Sequence, residues 1–352
     1  MLGIIIIAAS LSSLSLLFSH ASAIPVKRAV SGPVINADFP DPSIIKIQDT
    51  WYAFATQPNF NGNIHIQVAS SKDFSAWTVM SGTDALPNMP GWVNTTSGNG
   101  LTWAPDVTQR VSSILPTAST TSTWACINRF QDDGSFAMYY SAVTNTAGEG
   151  QLHCVGTATA SSVTGPYTAV GNDPFVCPTD QGGAIDASGF RDQDRTRYVV
   201  YKVDGNAIGH GGSCNNGVAP IVPTPIMLQR VAEDGITKVG GPTQLLTNDA
   251  SDGPVVEAPS MMRSADGTYY LFFSSNCYTT PDYDVAYATA SSPTGPFTKH
   301  GPLFKTGTYG LNGPGGADVD QDGKHMLFHA NYGSGRAMYT AEITVGGGLV
   351  TA

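Results

Sequence analysis

Charged residues are scarce in this sequence, and the positively charged ones are the scarcer. Only 12% of the 352 residues are charged, and 17 Lys and Arg stand against 27 Asp and Glu, which gives a formal net charge of −10. Nucleic acids and anionic membrane surfaces are bound through clustered basic residues, so we expect neither as a partner. The 41% hydrophobic content predicts a globular chain with a sizeable core and suits a neutral ligand.

Cysteine is also rare. The five cysteines include no Cys-x-x-Cys pair, which argues against a structural zinc site. In an exported protein this number predicts one or two disulfides and one remaining thiol. We predict the pairs Cys154–Cys177 and Cys214–Cys277, which leave Cys126 over.

Long apolar runs are absent after the first residues of the chain, so no later stretch can span a bilayer as a helix. Residues 1–23 are apolar and end in Ala-Ser-Ala, which predicts a secretory signal peptide, and Ser10, Ser12, Ser13 and Ser15 argue against a membrane anchor. Residues 24–28 end in Lys-Arg and resemble a short propeptide, so we expect residues 29–352 to form a single mature domain. A glycosylation sequon at Asn94 agrees with secretion.

Glycine and proline, by contrast, are plentiful, with 39 and 23 residues. With recurrent Ser and Thr clusters they predict many short strands rather than long helices. One four-strand pattern recurs five times, and its segments SSVTGPYTAV and SSPTGPFTKH are nearly identical. Five such units predict an all-β fold, a five-bladed β-propeller. A β-sandwich has no reason to repeat one pattern five times, and a β-helix repeats at a shorter period.

The first strand of each propeller blade lines the central channel, so residues at the start of those strands converge at one channel mouth. We predict that acidic residues share this position in several blades. They are Asp41, Asp106, Asp186, Glu257 and, in the last blade, the segment from Gly316 to Asp318. Converging carboxylates can bind a cation such as calcium, serve only as turn residues, or form an acid and base pair for glycoside cleavage. Composition alone leaves these three alternatives open.

The sequence segments around these residues favour the third alternative. FPDPS, TWAPDV, AIDASGF, VVEAPS and GPGGADV occur in this order. Together they resemble glycoside hydrolase family 43, which contains arabinanases, α-L-arabinofuranosidases and β-xylosidases. The resemblance extends from about Pro33 to the end of the chain and implies a five-bladed propeller with its active site at the channel mouth.

The resemblance also implies roles for three carboxylates. Asp41 matches the general base, Glu257 the general acid, and Asp186 the residue that tunes the pKa of the acid and orients it. The family inverts the configuration of the sugar, which requires space for a water molecule. We therefore predict that the carboxyl groups of Asp41 and Glu257 lie about 6.5–9.5 Å apart.

Four further residues are candidates for substrate binding. Trp103 and Phe39 are expected to stack on sugar rings, and Arg336 matches an arginine that reaches the substrate pocket in the family. Asp106 is placed with them, although the alternative is that it only orders the channel mouth. Asp38 is interpreted as a turn residue.

One segment departs from the family pattern. The family's fifth blade commonly contains GPGH, and its histidine often lies in the channel beside a bound ion or water, whereas Gly316 stands in that place here. We therefore predict no metal or other cofactor, and a channel calcium is in doubt. His325 and His329 share one face of a predicted strand and are expected to be core residues rather than a metal pair.

The function expected from the resemblance is hydrolysis of α-L-arabinofuranosyl linkages with inversion, in arabinan or arabinose-substituted xylan, by a secreted monomer. The partner would be a plant cell-wall polysaccharide or oligosaccharide. A β-xylosidase of the same family and a propeller that binds carbohydrate without catalysis remain as alternatives. Endo and exo cleavage are not distinguished, because they depend on the loops around the groove.

Overall fold

A computed structural model describes most of the chain after residue 28. The described residues are 29–58, 64–96, 102–113, 130–145 and 152–352. The predicted signal peptide, the predicted propeptide and Cys126 lie outside them. Among the described residues, none belongs to a helix that is long and apolar enough to cross a membrane.

Five four-stranded antiparallel sheets, the predicted blades, make up the described chain. Blade 1 contains Ser43–Ile47, Thr50–Ala55, Gln67–Ser71 and Thr78–Val79. Blade 2 contains Thr102–Ser113, Phe130–Val143, His153–Ala160 and Thr168–Ala169. Blade 3 contains Ala184–Arg191, Arg197–Val203, Ile226–Val231 and Thr243–Leu246. Blade 4 contains Val256–Arg263, Tyr269–Ser275, Val285–Ala290 and Thr298–Phe304. Blade 5 contains Gly315–Val319, His325–Tyr332, Gly335–Glu342 and Val30–Ile35.

The remaining elements are short. A small hairpin consists of Thr344–Gly346 and Leu349–Thr351. Single 3-10 turns span Thr179–Gln181, Gly205–Ile208, Ser213–Asn215 and Thr308–Gly310. The predicted all-β, five-bladed propeller is therefore confirmed.

The N-terminal strand closes the ring of blades. Val30–Ile35 pairs with Gly335–Glu342, so the two ends of the chain share blade 5. At the inner end, the backbone N–H of Ile44 in blade 1 donates to Asp318 of blade 5 at 2.8 Å. Because the first and last blades are joined in this way, the channel is enclosed on all sides.

The core lies between neighbouring blades, and one apolar cluster fills each of the five interfaces. Phe272 and Phe328 meet between blades 4 and 5, and Phe54 and Tyr140 between blades 1 and 2. The burial of each such side chain stabilises the folded state by roughly 2 kcal/mol. Blades covered on both faces need apolar residues at successive positions, and every residue of Tyr269–Ser275 is buried.

An irregularity in the inner strands decides where their side chains point. In blades 2 to 5 the pairing register shifts around one residue near the strand start. That residue and its equivalent in blade 1 have a positive φ, and they are Asp41 (53°), Ala104 (41°), Asp186 (57°), Ala258 (53°) and Gly316 (56°). Such bulges redirect side chains and often occur beside active sites.

This alignment corrects the predicted ring of equivalent carboxylates. Asp41 and Asp186 do occupy equivalent positions. Glu257 precedes the equivalent position in its blade by one residue, and Asp106 follows it by two, in line with Asp318. One left-handed residue per strand breaks the two-residue alternation, so comparison of sequences alone could not fix the phase.

Both predicted disulfides are present, Cys154–Cys177 and Cys214–Cys277. The first lies within the core between blades 1 and 2. The second joins the loop that holds Ser213–Asn215 to the segment after Tyr269–Ser275.

Candidate active site

Asp41 lies at the channel mouth and is held from three sides. Thr56 Oγ1 donates to Asp41 Oδ2 at 2.6 Å, and Arg336 Nη1 donates to Asp41 Oδ1 at 2.9 Å. The Asp41 backbone N–H donates to His329 Nδ1 at 3.0 Å. Burial acts to raise the pKa of Asp41, but the Arg336 guanidinium and the Thr56 hydroxyl outweigh it and hold that pKa below its usual range. Asp41 is therefore an ionised carboxylate, as a general base must be.

Glu257 lies in the inner strand of blade 4 and uses both of its oxygens. The Tyr283 hydroxyl donates to Oε1 at 2.9 Å, and Lys202 Nζ donates to Oε2 at 2.9 Å. Lys202 is fully buried and also contacts Asp204 at 3.0 Å. Burial alone would lower the pKa of Lys202, but the surrounding carboxylates raise it, so the ammonium keeps its charge.

Asp186 lies in blade 3 at the position equivalent to Asp41. Its Oδ2 accepts the backbone N–H of Ala258 at 2.9 Å, and its own N–H donates to Ser141 Oγ at 3.1 Å. Burial and the nearby Glu257 carboxylate raise the pKa of Asp186 to about 8. Asp186 thus carries a proton at neutral pH, whereas the sequence-based interpretation had it negatively charged. The ammonium of Lys202 lowers the pKa of Asp186, but burial and the Glu257 carboxylate outweigh this effect.

The three carboxyl groups line one cavity of about 610 Å³ at the channel mouth, which we call the mouth cavity. This volume lies in the range of small-molecule sites. Its wall also contains Trp103, His153, Asn206, Tyr278, Tyr283 and Arg336. The ring of Trp103 is half-buried and stacks on His153 with centroids 3.6 Å apart. Trp103 and Arg336 therefore lie where the sequence predicted contact with a substrate.

Phe39 does not lie in the mouth cavity. It is fully buried between blades 5 and 1, in a cluster with Trp51 and Leu327. Its ring has no face for a sugar, so the prediction for Phe39 is wrong. The rigid turn that directs Asp41 into the channel directs Phe39, two residues earlier, into the core.

Asp106 is also misplaced by the prediction. It lies deeper in the channel, near Asp318, and its Oδ2 accepts the Gly189 N–H at 2.7 Å. Burial and the Asp318 carboxylate raise the pKa of Asp106 well above its usual range. An acid that is bonded to the backbone of blade 3 and lies outside the lining of the mouth cavity is a structural residue rather than a substrate ligand.

Asp38 is more than a turn residue. Its Oδ1 accepts the Arg336 backbone N–H at 3.0 Å, and this contact ties the loop before Asp41 to blade 5. The contact fixes the arginine whose guanidinium holds the base.

The space beside Gly316 shows whether a channel ion fits. A Cβ atom at Gly316 would lie 2.6 Å from His329 Cε1, so the imidazole of His329 fills the place of a side chain there. Among residues 29–352 that the structure describes, no group of three His, Cys, Asp or Glu side chains could hold a metal. No catalytic step is assigned to an ion.

Sequence reasoning missed Lys202, Tyr283 and the contact of His329 with the base. His329 is fully buried, as expected for a core histidine, whereas His325 is only partly buried and pairs with Asp322. A lone lysine in the apolar strand RYVVYKV was a signal, because a buried ammonium requires carboxylate partners. Nothing in the sequence indicated Tyr283.

Comparisons with known proteins agree with this geometry. A β-D-galactofuranosidase of Aspergillus niger is 25% identical over 268 residues, which are 76% of this chain and 65% of that protein. The extracellular endo-α-(1→5)-L-arabinanase 2 of Bacillus subtilis is 23% identical over 272 residues, which are 73% of this chain and 49% of that protein. The chain thus spans between about half and two thirds of the length of these relatives.

A solved structure has the same fold. A thermostable family-43 glycoside hydrolase superposes with a TM-score of 0.66 at 22% identity, over 90% of this chain and 92% of that one. The sequence profile of glycosyl hydrolases family 43 matches residues 30–345, which include all five blades and every residue of the mouth cavity described above. The chain therefore belongs to glycosyl hydrolases family 43.

Proposed function

We propose that this protein is a secreted glycoside hydrolase that cleaves α-L-arabinofuranosyl linkages, in arabinan or arabinose-substituted xylan, with inversion of configuration. The observation that carries the proposal is the mouth cavity. Its lining contains an ionised Asp41, a protonated Asp186 and, beside Asp186, Glu257. Inverting hydrolysis requires one carboxylate that accepts a proton and one carboxyl group that donates one.

In the proposed reaction a water molecule attacks the anomeric carbon of the sugar and gives a proton to Asp41. The bond from that carbon to the leaving oxygen breaks, and Glu257 donates a proton to the oxygen. The two carboxyl groups return to their first state by proton exchange with solvent. Arg336 and Thr56 favour the ionised form of Asp41 before the attack, because both donate hydrogen bonds to its oxygens.

Asp186 supports the acid in this scheme. Asp186 holds a proton at neutral pH beside Glu257, and transfer of this proton to Glu257 prepares the acid. The separation of about 6.5–9.5 Å between the carboxyl groups of Asp41 and Glu257 remains a prediction.

The choice of a furanoside rests on the relatives. By their names, the enzyme of A. niger acts on galactofuranosides and that of B. subtilis on an arabinan, and both substrates contain five-membered sugar rings. Export is supported by the extracellular arabinanase and by two disulfides, which form in oxidising compartments.

The experiment is a substrate panel with matched variants. Aryl α-L-arabinofuranoside, aryl β-D-xyloside, aryl β-D-galactofuranoside and linear arabinan are incubated with wild type, Asp41→Asn and Glu257→Gln. We expect wild type to release arabinose or arabino-oligosaccharides whose new reducing end is first the β-anomer, seen by proton NMR, and each variant to lose about 100-fold or more of its activity on arabinan.

Three results would contradict the proposal. Faster cleavage of the xyloside or the galactofuranoside would identify a substrate other than an arabinofuranoside. First release of the α-anomer would exclude inversion. Binding of arabinan without release of any sugar would identify a carbohydrate-binding propeller.

A further inference from the structure

Two buried aromatic rings lie between the base and the acid of the proposed reaction. Tyr283, in the loop between the second and third strands of blade 4, and His329, in blade 5, have nearly parallel rings, with an interplanar angle of 13° and centroids 5.8 Å apart. Tyr283 is 2% exposed and His329 is fully buried. We call them the two-ring bridge.

One end of the bridge holds Asp41. His329 Nδ1 accepts the Asp41 N–H, and Asp41 has a φ of 53°, in the left-handed region that few residues other than glycine adopt. Burial and the charge of Arg336 lower the pKa of His329 to about 3, so its ring is neutral and Nδ1 can accept. This hydrogen bond therefore stabilises a backbone conformation that the carboxylate of Asp41 needs in order to point into the cavity.

The other end holds Glu257. The Tyr283 hydroxyl donates to Glu257 Oε1, and Lys202 donates to Oε2. Burial and the Glu257 carboxylate raise the pKa of Tyr283 well above its usual range, so the phenol keeps its proton. With both oxygens bonded, the carboxyl group has one orientation.

The two glycines of GPGGADV leave space for the bridge. A Cβ atom at Gly315 would lie 2.0 Å from Tyr283 Cε1, and one at Gly316 would lie 2.6 Å from His329 Cε1. The inner strand of blade 5 therefore passes directly against both rings, and any larger residue would displace them. The rings, the glycines and the two carboxyl groups fit together as one unit.

We propose that Tyr283 and His329 are positioning residues that fix the general base and the general acid relative to each other, Tyr283 through Glu257 and His329 through Asp41. The inference rests on the proposed function and extends it to residues with no part in the chemistry. Each end of the bridge serves a different group, so the two ends are expected to respond differently to the leaving group of the substrate.

Tyr283→Phe keeps the ring and removes the donor to the acid. We expect kcat/KM on α-1,5-linked arabinotriose, whose alcohol leaving group needs a proton, to fall roughly 10- to 100-fold. On 4-nitrophenyl α-L-arabinofuranoside, whose leaving group needs little protonation, we expect a loss of less than about 3-fold. Tyr140→Phe is the matched control, because Tyr140 is fully buried and its hydroxyl has no partner among the described residues.

His329→Leu removes the acceptor for the base, which both substrates require. We expect similar losses on both, roughly 10-fold or more. His329→Asn places an oxygen near the position of Nδ1 and should restore most of the activity on both substrates. Thermal unfolding of each variant shows whether the fold is retained.

Equal losses for Tyr283→Phe on both substrates, or none beyond the control, would refute the role of Tyr283. Failure of His329→Asn to recover more activity than His329→Leu, in folded protein, would refute that of His329. If wild type cleaved neither substrate, the proposed function itself would be refuted, whatever the variants did.

Discussion

Asp106, the buried acid in the channel wall, gives a prediction about how the free energy of unfolding depends on pH. Asp106 accepts the Gly189 N–H, and its pKa is raised well above 3.8 by burial and by Asp318. Because the pKa of Asp106 is higher in the folded state than in the unfolded state, its protonated carboxyl contributes to stability. This contribution is fully present below pH 3.8 and is lost as the pH rises through the folded-state pKa. Asp106→Asn keeps an acceptor for Gly189 and cannot ionise. We therefore expect the variant to become more stable relative to wild type as the pH rises.

Asp318 gives the scale of the effect. Burial raises the pKa of Asp318 from 3.8 to about 6, and a shift of about two units corresponds to about 3 kcal/mol. We therefore expect the free energy of unfolding of Asp106→Asn to exceed that of wild type at pH 7.5, and the difference to be much smaller at pH 4.

Urea unfolding at the two pH values measures the difference. Asp173→Asn, at an exposed position, is the control for the loss of one negative charge from a chain of net charge −10. A gain that is equal at both pH values, or a variant less stable at pH 7.5, would refute the reasoning. KM should stay within about 2-fold of wild type, because a larger rise would return Asp106 to substrate binding.

Three further changes test the site. Thr56→Val removes a donor to Asp41, so the pKa of the base should rise and the low-pH limb of the kcat/KM profile should move to higher pH, and an unmoved limb would contradict this. Cys214→Ser breaks the disulfide to Cys277, which joins two segments of the cavity wall. The free energy of unfolding should fall by about 4 kcal/mol at most, and KM should rise more than kcat falls. Trp103→Ala should raise KM roughly 10-fold with little change in kcat, and a KM within 2-fold of wild type would exclude stacking on the substrate.

Repetition made much of this protein readable from its sequence. Five recurrences of one four-strand pattern predict five blades, because each blade solves the same packing problem against two neighbours. The disulfides were predicted correctly as well. The pattern around Asp41, Asp186 and Glu257 placed three carboxyl groups at one channel mouth, and they do line one cavity.

The errors occurred where the backbone departs from regular strand geometry. Phe39 and Asp41 are two residues apart and would share a face in a regular strand, but the left-handed φ of Asp41 separates them. The same irregularity put Asp106 out of phase with the catalytic candidates. Proton placement was also beyond the sequence, since the raised pKa of Asp186 depends on burial and on the nearby Glu257 carboxylate.

The sequence by itself determined the blade number, the disulfides, the family and the three carboxyl groups, because these depend on residue type and order along the chain. Only the tertiary structure decided which residues surround those groups. Tyr283 is 26 residues from Glu257, and His329 is 288 residues from Asp41. The first contact forms within blade 4, whereas the second arises from the closure of the ring, in which the last blade meets the first.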